Sequence, residues 1–144
     1  MSLINRFQEL AEAWCERKSV EEVLGFLTDD IVWHFAVAAA PPAVGIDAAR
    51  AVLEGLSGQI DESHWRVFEY AERGNTLFVE GVDENVLPNG HRTVAPYMGI
   101  LEFRGDQICG WRDYFDRGSV SAQLRDPDAP LKEHVSTLIA RPAV

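Results

Sequence analysis

Apolar residues recur at Leu3, Phe7, Leu10, Ala11 and Trp14, the spacing of one helical face, and predict a helix from Leu3 to about Arg17 with Ser2 as its cap. A shorter helix is predicted from about Val20 to Leu27, where Ser19 stands at the cap and Glu22 at the third helical position, the pairing of a capping box. Thr28-Asp29-Asp30 then turns the chain into Ile31-Val32-Trp33-His34-Phe35, a β-branched and aromatic run that predicts a strand. The stretch from Ala38 to Pro42 must be irregular, because neither Pro41 nor Pro42 can donate to a strand ladder. Gly45 leads into a third helix over about Asp47 to Leu56, with Ala48, Val52 and Leu56 on one face.

Beyond that point the pattern changes from helical to alternating. Four strands are predicted, Trp65–Ala71, Thr76–Asp83, Thr93–Phe103 and Gln107–Phe115, separated by Arg73-Gly74-Asn75, Pro88-Asn89-Gly90 and Arg104-Gly105-Asp106. Connections this short favour antiparallel hairpins over parallel crossovers. The remainder holds Asp126-Pro127-Asp128-Ala129-Pro130 and a weak helical stretch from Leu131 to Ile139. Helices followed by a run of strands make an α+β class: a long, curved, mostly antiparallel sheet wrapped around the N-terminal helices as a cone with one open mouth. One domain is expected over residues 1–144, with 118–144 as a peripheral tail.

Composition narrows the function classes. The net charge of −10 comes from 13 basic and 23 acidic residues, without the clustered Lys and Arg that phosphate neutralisation needs, so nucleic acid is not an expected partner. No apolar run approaches the ~20 residues of a membrane span, and Met1 to Glu9 lacks the basic head and apolar stretch of a signal peptide, so a cytoplasmic protein is expected. Cys15 and Cys109 form no disulfide framework and read as reduced thiols in or near the core. No two histidines have metal-ligand spacing, and neither a phosphate-cradling loop nor a nucleophile elbow is present. Neither a metal nor an organic cofactor is therefore expected.

What remains is carboxylate chemistry. Strand alternation places Cys109, Trp111, Asp113 and Phe115 on one face, so Asp113 lies between two large aromatics on a face that looks inward. A carboxyl there either pairs with a neighbour as a structural group or stays protonated as a general acid. Asp83 shares a strand face with Leu77, Val79 and Gly81 and is a second inward candidate, the alternative being a solvated strand end beside Glu84. His34 lies on the strand face opposite Trp33 and Phe35, as a base, an orienting group or a structural histidine.

The order of elements, with Pro41-Pro42-Ala43-Val44-Gly45, Val82-Asp83 and Gly110-Trp111-Arg112-Asp113-Tyr114-Phe115-Asp116, resembles the limonene-1,2-epoxide hydrolase family. That family shares its cone-shaped fold with nuclear transport factor 2, ketosteroid isomerase and SnoaL-type polyketide cyclases. The resemblance runs from about residue 5 to 117. It implies a hydrophobic small-molecule substrate, with Asp83 as the base that activates water and Asp113 as the acid that protonates the epoxide oxygen. It also implies a homodimer formed through the outer sheet face, with Tyr97 and Tyr114 as candidate contacts.

The chain departs from that pattern at three polar positions. Gly81 stands where the family has a bridging arginine, and Phe35 and Val37 stand where it has the Tyr and Asn that hold the water. Three readings follow. Epoxide hydrolysis would run through a rewired site using His34 or Tyr97. An isomerase or cyclase would use the same carboxylates without water. A binding protein would carry out no chemistry. In each, His34, Phe35, Val37, Gly81, Tyr97 and Trp111 are the expected substrate-binding positions around Asp83 and Asp113.

Overall fold

The computed structural model describes residues 2–144. Helix α1 spans Leu3–Cys15, with the Ser2 side chain accepting from the Asn5 amide, and it buries Leu3, Ile4, Phe7, Leu10, Ala13 and Trp14 along one stripe. Helix α2, Val20–Gly25, begins as its cap predicts, the Ser19 hydroxyl accepting from Glu22 N–H at 3.1 Å. The capping box is one-sided, however. The Glu22 carboxylate accepts from Arg17 Nε at 2.6 Å, and the Ser19 amide donates to the Ala13 carbonyl instead.

Strand β1 covers Leu27–His34 and so begins before the predicted start at Ile31. Leu27 and Ile31 are both buried, while Asp29 and Asp30 between them face outward, Asp30 meeting Arg104 across the surface. The polar pair that reads as a turn is the solvent-facing part of an irregular strand. Phe35 lies in the turn after β1, not in the strand. A two-residue strand β2, Ala43–Val44, pairs with β1 before helix α3, Ile46–Gln59. The buried centre of α3 is Ala49 and Leu53, and Ala48, Val52 and Leu56 flank it half-buried.

Strands β3 (Glu62–Arg73), β4 (Thr76–Val86), β5 (Arg92–Arg104) and β6 (Gln107–Phe115) form the predicted antiparallel meander, each of the first three longer than its sequence pattern indicated. Together with β1 and β2 they make a six-stranded sheet in the order β2-β1-β6-β5-β4-β3. The β1–β6 pair is parallel, which closes the first strand against the last. This is an α+β fold in which helices α1 to α3 pack on the concave face of a curved sheet, and the core lies between the two layers.

One register feature alters the predicted alternation. Glu102 pairs with Gly110 while Phe103 pairs with Ile108, so Cys109 is an extra residue in β6. Ile108 and Trp111 are therefore both buried, and Cys109 is turned aside, its Sγ 3.4 Å from the Glu102 carbonyl. Asp113 and Phe115 keep the inward parity of Trp111.

The last part of the chain reaches both faces. Helix α4, Arg117–Arg125, is capped by Asp116, whose Oδ1 accepts from the Ser119 amide, and it lines the cavity between the helices and the sheet. Gln123 holds it to β5 through both backbone groups of Val94, at 2.7 and 2.8 Å. Helix α5, Glu133–Ile139, covers the outer face, where Ile139 packs with Phe68, Val82 and Val94. Among the described residues, no helix is long and apolar enough to cross a membrane.

Candidate active site

A cavity of about 500 Å³ opens between the helices and the sheet. That size is ordinary for a small-molecule pocket. Its wall is best followed as rows across the sheet, since inward residues in register stand side by side. The first row is Ser63, Asn85 and Thr93, followed by Trp65, Asp83 and Ala95. Next come Val67, Gly81, Tyr97 and Phe115, then Val79, Gly99 and Asp113. The deepest row is Leu77, Leu101, Trp111 and Trp33. Asp83 and Asp113 thus stand on β4 and β6, one row above and one row below Tyr97 on the strand between them.

Two glycines make that arrangement possible. A Cβ at Gly81 would lie 2.3 Å from the Arg66 carbonyl oxygen and 3.1 Å from the Tyr97 ring. One at Gly99 would meet Asp113 Oδ1 at 3.0 Å and the other edge of the same ring at 3.4 Å. The Tyr97 ring therefore fills the space over both glycines, where the resemblance leads one to expect an arginine between the carboxyls. Gly81→Ala is expected to destabilise the fold by about 1–3 kcal/mol, because backbone rather than a flexible side-chain end must move. Denaturant unfolding measures it, and an unchanged midpoint would mean that the wall yields freely.

Aromatic packing sets the orientation of the deeper carboxyl. Trp111 stacks on Trp33 with ring centres 5.0 Å apart and meets Phe7 and Trp65 edge-on. So held, its Nε1 donates to Asp113 Oδ1 at 3.1 Å. Asp83 receives no comparable donor: among the described residues no hydrogen bond reaches its carboxyl, and none joins the two aspartates. Trp33 Nε1 is also buried without an acceptor.

The electrostatics follow from these contacts. Both carboxyls face the cavity, not bulk solvent. Burial pushes Asp113 up to about 7, against the lowering effect of the Trp111 N–H. Burial, reinforced by the Asp113 charge, holds Asp83 well above the usual carboxylate range. Burial and then the two aspartates raise Tyr97 well above an ordinary phenol. All three groups are thus held towards their protonated forms, and of the two carboxyls Asp113 alone has, among the described residues, a donor that favours ionisation. The neighbouring Cys15 thiol is pushed up to about 11, chiefly by burial, and is unreactive there.

Of the positions expected around the site, Asp83, Asp113, Phe35, Tyr97 and Trp111 line the cavity. Three do not. His34 is half-buried on the outer side of β1, in register with Arg112, because its parity is opposite to that of Trp33. The turn after β1 presents Ala36 to the cavity, while Val37 contributes a backbone bond to the Asp113 carbonyl at 3.3 Å. Gly81 has no side chain to present and lies beneath Tyr97. Tyr97 itself is 7% exposed and faces inward, so of the two expected outer-face contacts only Tyr114, 46% exposed, lies on the outside.

Sequence reasoning missed Asn85, Thr93 and the residues of α4, including Arg117, the one cation lining the cavity among the described residues. Asn85 was within reach, since it continues the alternation of Val79, Gly81 and Asp83 by one step. The α4 contribution depends on a tertiary contact that no local pattern signals.

The fold and its walled carboxyl pair define the class of protein. The sequence model of the SnoaL-like domain family matches residues 7–111, and the chain belongs to that family. Solved structures place it in the NTF2-like fold. An NTF2-like protein of unknown function from Burkholderia pseudomallei is 21% identical, with a TM-score of 0.71, covering 90% of this chain and 100% of that one. An LEH-like epoxide hydrolase of M. tuberculosis is 18% identical, with a TM-score of 0.66, covering 92% and 94%. A polyketide cyclase candidate from Xanthomonas campestris is 22% identical, with a TM-score of 0.70, covering 85% and 99%. At such identities the likeness establishes the fold, and the chemistry has to be argued from the site.

Proposed function

We propose that this protein is an acid/base enzyme that moves a proton at a carbon next to a carbonyl in a hydrophobic small molecule, as an isomerase or cyclase does. The observation that carries this reading is the unequal setting of the two carboxyls: Asp113 accepts from Trp111 Nε1 at 3.1 Å, which favours its ionised form, while no hydrogen bond from the described residues reaches the Asp83 carboxyl and the Asp113 charge holds it towards its protonated form. In this mechanism the Asp113 carboxylate removes the proton from the α-carbon. The C–H electron pair passes through the new C=C bond to the carbonyl oxygen, which the Asp83 carboxyl and the Tyr97 hydroxyl hold by hydrogen bonds. Where the substrate has a C=C bond β,γ to the carbonyl, the intermediate is a dienolate, and Asp113 returns the proton at its γ-carbon, which shifts the double bond into conjugation and completes an isomerisation. Alternatively the enolate carbon attacks a second carbonyl of the same molecule and closes a ring, the C=O π pair passing to oxygen as an alkoxide that takes the proton back from Asp113. Neither route takes oxygen from water.

The roles are the reverse of those implied by the resemblance to epoxide hydrolases, in which Asp83 is the base. Epoxide opening by water remains the competing reading, favoured by the Trp111-Arg112-Asp113-Tyr114-Phe115-Asp116 segment and by the likeness to the M. tuberculosis enzyme. It is the poorer fit to a wall in which Tyr97 occupies the space of a bridging cation and in which the turn after β1 brings only Phe35 and Ala36 to the cavity. Water held by apolar side chains is poorly placed, and misplacement alone costs a hundredfold or more.

The test uses β-tetralone, a hydrophobic ketone with an acidic α-carbon, in deuterated water. Proton NMR is expected to show exchange of the α-hydrogens above the buffer rate. Limonene oxide in oxygen-18 water is expected to give no diol above background. Rapid formation of labelled diol together with exchange at the buffer rate would reverse the choice.

A further inference from the structure

The row Ser63, Asn85, Thr93 crosses three strands on the concave face, next to the row that carries Asp83. Its hydrogen bonds run in one direction. Trp14 Nε1 donates to Ser63 Oγ at 3.2 Å, and Ser63 Oγ donates to Asn85 Oδ1 at 2.9 Å. An indole N–H can only donate, so Ser63 accepts from Trp14 and has one proton left to give. Trp14 and Ser63 are each 3% exposed, and turning the Asn85 amide around would leave that hydroxyl proton buried without an acceptor. The relay therefore fixes the amide with its oxygen towards β3 and its Nδ2 free. Asn85 lines the cavity, and its Nδ2 has no acceptor among the described residues. Thr93, its cross-strand neighbour, also lines the cavity, and its hydroxyl makes no side-chain hydrogen bond to the described residues.

From this geometry we propose that Asn85 is a ligand-anchoring residue, its Nδ2 donating to a second oxygen of the substrate, with the Thr93 hydroxyl beside it. The inference rests on reading the cavity as the site of acid/base chemistry, and it narrows the substrate class. Asp83 and Asn85 are two residues apart on one strand face, a step of about 7 Å. A ligand held by both carries two oxygen functions at a comparable separation on a hydrophobic frame. A mono-oxygenated hydrocarbon such as a simple terpene epoxide would leave the Asn85 donor facing an apolar surface and bind less tightly by the worth of that one hydrogen bond.

The probes are β-tetralone and 6-hydroxy-β-tetralone, which differ by one hydroxyl at the far end from the ketone. Calorimetry on the wild-type protein is expected to show the hydroxylated probe binding about five- to tenfold more tightly, the effect of one added neutral hydrogen bond. Asn85→Leu is expected to abolish that preference while leaving β-tetralone affinity within about twofold, a split that a general structural defect would not produce. Equal affinity of the wild type for the two probes, or a preference that survives in Asn85→Leu, overturns the anchor. Asp113→Asn separates the two ideas, because it should remove α-hydrogen exchange and keep the preference. If exchange never exceeds the buffer rate but the preference is present and lost in Asn85→Leu, the anchor stands and the proton-transfer reading falls.

Discussion

Replacing Asp113 with asparagine is expected to lower α-hydrogen exchange on β-tetralone by about a thousandfold, within the range for loss of a general base. The amide can still accept from Trp111 Nε1, so the local packing is kept and only the basic oxygen is lost. The matching change at Asp83 should be far milder. If Asp83 acts as a protonated donor, Asp83→Asn substitutes one neutral donor for another, and a loss of about tenfold is expected from a poorer hydrogen bond. If Asp83 were the base, the two substitutions would exchange their effects. The pH profile supplies a second check. Exchange should rise with pH to a plateau beyond about 7 as Asp113 ionises, and the midpoint should stay in place in Asp83→Asn, since a neutral group has been replaced by a neutral one.

The second large effect is on stability, and its sign is opposite to that of most buried charges. Asp113 is raised from 3.8 to about 7 in the folded protein, so between those values the folded state holds a proton that the unfolded chain has released. Stability then falls as pH rises from about 4 to about 7 and levels off above, because the unfolded state binds fewer protons in that window. At 1.36 kcal/mol for each pH unit, a span of roughly three units amounts to at most about 4 kcal/mol, reduced by whatever water the cavity admits. Asp83 acts in the same direction, since burial raises it as well. Asp113→Asn removes the Asp113 contribution. The variant should match the wild type near pH 4 and become progressively more stable than it towards pH 8, as urea unfolding at a series of pH values would show. A substitution that removes activity and strengthens the fold is the signature of a carboxyl kept for chemistry.

The pattern of the sequence located the concave wall well. Gly74, Gly90 and Gly105 each take positive φ at the tips of the three hairpins, as the turn signals required. Two-residue alternation then sufficed to bring Asp83 and Asp113 to the inward face. Alternation fails where a strand is irregular, and there the reading erred. The bulge at Cys109 put an extra residue into β6, and the solvent-facing Asp29 and Asp30 disguised the start of β1. The parallel closure of β1 on β6 involves residues some eighty positions apart and has no local signature. The same holds for Tyr97. That it lies over Gly81 on β4 and beside Asp113 on β6 depends on the register of three strands, so its place between the carboxyls was not legible, although its parity was. Asn85 was missed for a simpler reason: β4 continues to Val86, and a strand ended at Asp83 stops one inward position short.

The central claim is that the two aspartates are in different states, with Asp113 ionised and Asp83 protonated when the enzyme works. Carbon-13 NMR of the aspartate carboxyl carbons, assigned through Asp83→Asn and Asp113→Asn, tests it without any substrate. With Asp113 as the base, the Asp113 resonance moves with a midpoint at about pH 7 while the Asp83 resonance stays at its protonated position through that transition. An Asp83 carboxyl that ionises before Asp113 would contradict it and return the role of base to Asp83.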